Sequence, residues 1–180
     1  MLKEELKCLS NYWFEKDKTA KMVSDEKARE VIDAIINSKC NGVLGTCSDN
    51  VPRCTPVDYT YYNGSIYIMT EGGRKLAGII DGNPVAFSIY NSNGTFGNLH
   101  SVQIEGKAEV FLVYENEEEY SKVIEARNSK VTNDKFKLSV EMIKRLPHEM
   151  PLIKIMPSRI TLLNSDFTKE GFYQRAIVTY

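Results

Sequence analysis

The sequence predicts a mainly β, α+β domain: a six-stranded antiparallel β-barrel, closed or partly closed, with flanking helices. Three observations carry this. Short β-type runs recur from Val43 to Val113, separated by turn chemistry at Ser48-Asp49-Asn50 and Asn63-Gly64. No parallel strand–helix–strand crossover interrupts this stretch, and G-x-G-x-x-G is absent, which argues against a dinucleotide-binding sheet. Amphipathic helical spacing belongs to the flanks.

The elements follow in order. Residues 1–24 form a mixed extension with an aromatic trio, Tyr12-Trp13-Phe14, that should pack on something, such as a partner subunit. Ser24 or Asp25 can cap a helix whose stripe is Ala28, Val31, Ile32, Ile35 and Ile36, at i, i+3, i+4, i+7 and i+8; Asn41-Gly42 ends it. Strands are expected at Val43–Cys47, Arg53–Tyr62, Ser65–Met69, Val85–Tyr90 and Leu99–Val113, the last bulged at Gly106. Leu76, Ala77, Ile79 and Ile80 suggest a short helix between the third and fourth. Residues 115–147 read as a helical pair, one stripe through Tyr120, Val123 and Ile124, the other through Phe136, Val140 and Ile143. Leu152–Leu163 closes the barrel as the sixth strand. The whole chain, 1–180, reads as one domain with a helical insertion before that closing strand.

Composition bounds the function. Twenty-three Lys and Arg against 24 Asp and Glu give a formal net charge of −1. That is unsuited to broad nucleic-acid or anionic-membrane binding. The charged start, Met1 to Lys7, lacks an apolar signal core, and no run approaches the roughly 20 apolar residues that cross a bilayer. A cytoplasmic protein is expected. Cys8, Cys40, Cys47 and Cys54 form no C-x-x-C pair and read as small buried thiols; with two histidines, His100 and His148, no metal site is expected.

The segment richest in chemistry is Ile66 to Leu76. A β-type run ends in Thr70, followed by Gly72-Gly73 and then Arg74-Lys75 at the start of an apolar segment. Glycines let backbone N–H groups face an anion, and a helix starting near Gly73 would add its positive end. Arg74 and Lys75 add full charge. Taken alone, the same residues also describe a strand, a glycine turn and a solvated basic helix start. Pro56 within the second strand cannot donate to a ladder, so that strand is an edge or is interrupted there. Tyr59, Tyr61, Tyr62 and Tyr67 could stack on a ring, although barrel core suits them better. His100 is either a proton donor near the site or structural, and Arg127 and Lys130 read as a solvated helix face.

In sequence order, Gly42-Val43-Leu44-Gly45-Thr46, Pro52-Arg53-Cys54-Thr55-Pro56-Val57, Tyr67-Ile68-Met69-Thr70, Gly73-Arg74-Lys75, Asn83-Pro84-Val85-Ala86-Phe87 and Ser101 to Ala108 resemble the FMN-binding split-barrel family. Pyridoxamine 5′-phosphate oxidase is its best-known member. The resemblance runs over about residues 30 to 112, with an echo at Ile153–Leu163. It implies a six-stranded antiparallel split barrel and FMN as cofactor. It implies that Arg53, Cys54, Thr55, Pro56 and Val57 lie along the flavin, with Met69 beside it. Thr70, Arg74 and Lys75 would hold the phosphate. Ser101 stands where pyridoxamine 5′-phosphate oxidase has a flavin-contacting Gln, and the phosphate turn is one residue shorter than in that enzyme.

The resemblance also implies a homodimer with the flavin at its interface and a small-molecule electron donor or acceptor such as a reduced nicotinamide. The flavin carries the chemistry, so no catalytic side chain is assigned. The C-terminal segment Phe172 to Tyr180 does not match that of pyridoxamine 5′-phosphate oxidase, which argues against that activity. Some relatives bind haem and others a deazaflavin. A non-catalytic flavin- or haem-binding redox or stress protein is therefore the alternative, with His100 as the haem ligand.

Overall fold

The computed structural model describes residues 2–95 and 97–180, without the side chains of Leu2, Leu9, Ser10, Trp13, Phe14 and Asp17. Most of the expected aromatic trio thus lies outside the described side chains; Tyr12 is 53% exposed. The extension itself is a helix, α1 (Leu2–Thr19), and α2 (Asp25–Ser38) follows. Ser24 caps α2, its hydroxyl accepting from the amide of Lys27 at 3.2 Å. Such a cap contributes about 1 kcal/mol. The stripe holds: Ala28, Ile32 and Ile36 are buried, with Val31 and Ile35 packed beside them.

Eight strands form one antiparallel sheet, rather than the expected six: β1 (Asn41–Ser48), β2 (Val51–Asp58), β3 (Thr60–Tyr62), β4 (Ser65–Met69), β5 (Val85–Tyr90), β6 (His100–Phe111), β7 (Leu152–Asn164) and β8 (Arg175–Thr179). The order is β2-β1-β5-β6-β7-β4-β3, with β8 also beside β7. One extra strand arises because Arg53–Tyr62 breaks at Tyr59. There the amide bonds to the carbonyl of Cys40 and the buried phenol donates to the carbonyl of Ile36 at 2.6 Å. The other is β8, whose Ala176 and Val178 complete the core over α2. Helix α2 also ends before Asn41-Gly42, which open β1. Phe87 packs where a Gly42 side chain would be, 2.6 Å from its Cβ position.

The sheet curls into a half-barrel because β6 and β7 pair along their whole length and bend together at Gly106. Beyond that bulge β7 changes neighbours. Its second half pairs with β8 and its first half with β4. The open ends of the sheet are β2 and β3, and β2 comes close to β4 without a ladder. The main core fills the barrel with Leu44, Ile66, Ile68, Phe87, Val102, Ile104 and the stripe of α2. A short helix, α3 (Lys75–Ile80), closes one end through Leu76 and Ile79.

A second core lies behind β4, under α4 (Glu117–Ser129). The second helix of the expected pair is only a 3-10 turn at Asp134–Phe136 and a single turn, α5 (Val140–Lys144). Val140 and Ile143 are buried there, but Phe136, Met142 and Leu146 have no sheet to face and stay exposed. Arg127 is half-buried and donates to the carbonyl of Phe136 at 3.0 Å, tying this turn down rather than facing solvent alone.

Glu119 fastens α4 to the barrel. It accepts from the Tyr67 hydroxyl at 2.6 Å and Lys154 at 2.7 Å, and from Asn116 at 2.8 Å. Burial pushes its carboxyl up, but the hydrogen bonds from Lys154 and Tyr67 outweigh this and hold it below the ordinary 4.5. A depressed carboxyl contributes stability above its unfolded-state value and loses it as pH falls through the folded one. Glu119→Gln is expected to cost about 1–3 kcal/mol at neutral pH, since Lys154 loses its counter-charge. It should also flatten the fall in stability below pH ~4.5. Urea melts of both proteins across acid and neutral pH would check this.

Candidate functional site

The turn after β4 is pinned from within. The Thr70 hydroxyl accepts from the Gly72 amide and donates to the Gly72 carbonyl, both at 3.1 Å. Gly72 and Gly73 hold φ of 113° and 98°, conformations that side chains disfavour. Lys75 folds back so that its ammonium donates to the Gly72 carbonyl. Thr70 is buried, Lys75 half-buried and Arg74 exposed. The helix starts at Lys75, not Gly73, with Arg74 as its cap, and runs only six residues. Its dipole is therefore minor, and the side chains and turn amides carry the electrostatics.

The glycine after that start sets where the turn sits. A Cβ on Gly78 would lie 2.4 Å from the carbonyl oxygen of Cys47, so α3 rests directly on the end of β1. Asn83 reinforces this by donating to the same carbonyl at 2.9 Å, and Ser48 bonds Asp81 at 3.2 Å. Arg53 pairs with Thr46, the residue before Cys47. The basic turn and Arg53 therefore lie toward the same end of β1. Among the described residues no carboxylate lies within ion-pair distance of Arg53, Arg74 or Lys75. Glu71, the one acid of the turn, faces His148 at 3.6 Å instead. The amides of Gly73, Arg74 and Lys75 donate to no backbone carbonyl among the described residues. The result is a set of cations and N–H donors toward one end of the barrel that has no carboxylate partner among the described residues.

Strand β2 pairs only with β1, so it is the edge strand that Pro56 requires. Alternation splits its five site residues. Arg53, Thr55 and Val57 share the inward face with Thr46, Leu44 and Gly42. Cys54 and Pro56 share the outer face with Gly45 and Val43. Ser101 lies on that outer face too, opposite Tyr90 and Leu163. Met69 packs with Tyr67 and Leu152 against the second core, which leaves its backbone for any ligand.

The tyrosines are structural. Tyr59 and Tyr67 are buried, and Tyr61 donates to Asp33 at 3.0 Å. Burial, with the Asp33 carboxylate behind it, pushes the Tyr61 phenol up to about 12. His100 points to the face opposite Ser101, across from Asn164, and its Nε2 sits 2.9 Å from an Asp166 oxygen. Asp166 lies 66 residues away in sequence, so sequence reasoning had no signal for the pair. Three cysteines, Cys8, Cys40 and Cys54, are exposed and Cys47 half-buried, contrary to the expectation of buried thiols; all four are free. Two strand positions explain this for Cys47 and Cys54, which share the uncovered outer face.

On that outer face a cleft of about 420 Å³ opens between β2 and β5, lined by Lys39, Asn41, Pro56, Tyr90 and Ser92 among others. Of these five, Pro56 alone belongs to the site expected from the sequence. Among the described residues no helix is long and apolar enough to cross a membrane.

Comparison with solved structures places this architecture among known folds. A conserved hypothetical protein from Mycobacterium tuberculosis aligns with a TM-score of 0.65 at 22% identity, over 86% of this chain and 92% of that one. A haem-binding protein from Mycobacterium smegmatis aligns at 0.63 and 15% identity, over 87% and 60%. An FAD-binding protein from Mesorhizobium loti aligns at 0.53 and 15%, over 79% and 95%. At these identities the likeness is one of fold. No curated protein matches the sequence. The sequence model of the pyridoxamine 5′-phosphate oxidase family matches residues 28–161, from α2 through the basic turn and into β7. With about three quarters of its length covered, from the stripe of α2 to the Gly106 bend and most of β7, the chain belongs to the pyridoxamine 5′-phosphate oxidase family.

Proposed function

We propose that this protein is a cytoplasmic FMN-binding flavoprotein that works as an oxidoreductase, a homodimer with the flavin at the subunit interface. The observation that carries the reading is that three cations, Arg53, Arg74 and Lys75, lie toward the same end of β1 as the turn amides, and among the described residues none of the three has a carboxylate partner. An FMN phosphate, close to a dianion, fits such a host. Thr70 shapes the turn, and its hydroxyl can redirect to a phosphate oxygen. The open edge of β2 offers backbone groups of Arg53 to Val57 to a flat ring, and Ser101 a hydroxyl. Bound FMN would supply hydride or electron transfer, with a small-molecule partner such as a reduced nicotinamide. The chain's own residues seat the ring, neutralise its tail and limit water.

The test is the visible spectrum of purified protein, with the released chromophore identified by mass. Flavin absorbance and FMN mass are expected. Colourless protein that takes up no added FMN ends the reading. Haem is the competing cofactor, because a haem-binding protein shares the fold. His100 has its Nε2 engaged by Asp166, which ties the imidazole to the barrel end. His100→Ala is therefore expected to leave chromophore content unchanged. Loss of a Soret band in that variant would favour haem.

A further inference from the structure

We propose that His148 is a positioning residue for the basic turn: its imidazole, when charged, holds the Glu71 carboxylate aside and leaves Arg74 and Lys75 available to an anion. The proposal rests on the reading of that turn as an anion host, and adds a proton-dependent control on it. Glu71 follows Thr70 directly and stands three residues before Arg74 and four before Lys75. A carboxylate so near along the chain is a ready counter-ion for either cation, and a competitor for any phosphate that they would bind. The chain does not use it so. One Glu71 oxygen lies 3.6 Å from His148 Nε2, and among the described residues Glu71 makes no ion pair with Arg74 or Lys75.

The segment that carries His148 is fastened on both sides. Pro147 and Pro151 bracket it. The Thr70 amide donates to the Pro151 carbonyl at 3.0 Å, and the buried Tyr120 of α4 donates its hydroxyl to the Met150 carbonyl at 2.8 Å. The other charged groups nearby are already committed or stay constant. On the segment itself, among the described residues, Glu149 lies outside ion-pair distance of His148, and Arg145 outside that of Glu71. From α4, Glu117 pairs with Lys144 of α5 at 2.6 Å, and Glu119 with Lys154 of β7 at 2.7 Å. Burial, with Glu149 behind it, pushes the Tyr120 phenol up to about 12, so it stays neutral at physiological pH. An imidazole is the side chain that ordinarily changes charge between about pH 5 and 8. In its charged form it offsets Glu71. As pH rises through that range the offset is lost, and Glu71 is free to turn to Arg74 or Lys75.

The test is serial dilution of the full chain saturated with FMN, at about pH 6 and about pH 8, with released FMN read by fluorescence. Each variant is compared with wild type at the same pH, so the ionisation of the phosphate itself cancels. Both side chains reach solvent, which sets the scale at that of a surface ion pair. Glu71→Gln is expected to bind FMN about two- to fivefold more tightly than wild type at the higher pH and equally at the lower. His148→Gln is expected to bind about two- to fivefold more weakly than wild type at the lower pH and equally at the higher. In the Glu71→Gln background His148→Gln should change nothing, because the imidazole acts only through Glu71. The proposal is overturned if Glu71→Gln leaves the affinity at the higher pH unchanged. It is also overturned if His148→Gln weakens binding as much without Glu71 as with it, which would make His148 a phosphate ligand in its own right. FMN that binds with no such differences defeats this proposal and spares the flavin reading. If FMN does not bind, the flavin reading falls, and inorganic phosphate, followed by the amide shifts of residues 70–75, replaces it with the same expected order of variants. Phosphate that leaves those amides unmoved overturns the proposal as well.

Discussion

Protein carrying Arg74→Ala together with Lys75→Ala is expected to purify without its yellow chromophore. Each cation replaced removes one charge-assisted hydrogen bond to the phosphate, worth about 1.5–3 kcal/mol. Two such losses weaken binding by about 10²- to 10⁴-fold. Neither residue belongs to the core: Arg74 is exposed, Lys75 is half-buried and ties down only the Gly72 carbonyl, and among the described residues neither side chain pairs with a carboxylate. Far-ultraviolet circular dichroism and the melting point of flavin-free protein should therefore match wild type. Arg53→Ala should act in the same direction with about half the effect in free energy, since one donor is lost. Titration of FMN into the flavin-free variants, followed by fluorescence quenching, gives the numbers. A double variant that binds FMN like wild type would remove the phosphate from this turn.

Why the shape of this turn was legible in the sequence, and the face each residue of the proposed ring site takes was not, is a matter of range. The turn is local. Thr70, two glycines and two cations lie within six positions, and their geometry depends on backbone preferences that neighbours set. The first part of the barrel was legible for a similar reason, since Asn63-Gly64 acts within its own hairpin; Gly106 was visible only as a glycine inside a strand pattern, because its partner strand β7 lies beyond the helical insertion. The proposed ring site depends on register. Five consecutive residues, Arg53 to Val57, cannot all face one ligand, because alternate side chains leave opposite faces of a strand. Which of them turn inward follows only from the pairing of Arg53 with Thr46.

Long-range partners were illegible altogether. His100 reads as a candidate proton donor until Asp166 is placed against it. The same holds for Lys39 and Tyr90, which become one cleft only when β5 lies beside β1. Periodicity also overstated the helical insertion. Phe136, Met142 and Leu146 are apolar at helical spacing, yet only Val140 and Ile143 find a surface to bury against. Strand β8 was missed because five residues after a turn give too short a pattern, and its burial depends on α2 lying across it.

Gly106→Ala is expected to destabilise the protein by about 3 kcal/mol or more, because it fills space the main chain occupies. A Cβ at this position would stand 2.1 Å from the carbonyl oxygen of Met156 and 3.0 Å from its carbonyl carbon. Both are backbone atoms, so no side chain can turn aside. The strand pair must open at the one place where β6 and β7 bend and where β7 changes its neighbour from β8 to β4. For a chain of this length the cost amounts to roughly 6–12 °C in melting temperature. The damage should reach the ligand as well. Strand β4 leads directly into Thr70 and the basic turn, and its place in the barrel is set by β7 beyond the bend. Retained flavin should fall alongside stability, although Gly106 carries no group that could touch a phosphate. Gly45→Ala separates this steric cost from the general effect of stiffening a glycine. Its Cβ would meet only the Ala86 side chain and backbone at 3.4 Å, so a change of about 1 kcal/mol or less is expected. Equal melting temperatures for the two variants would mean that the bend tolerates a side chain and that the half-barrel takes its curvature from elsewhere.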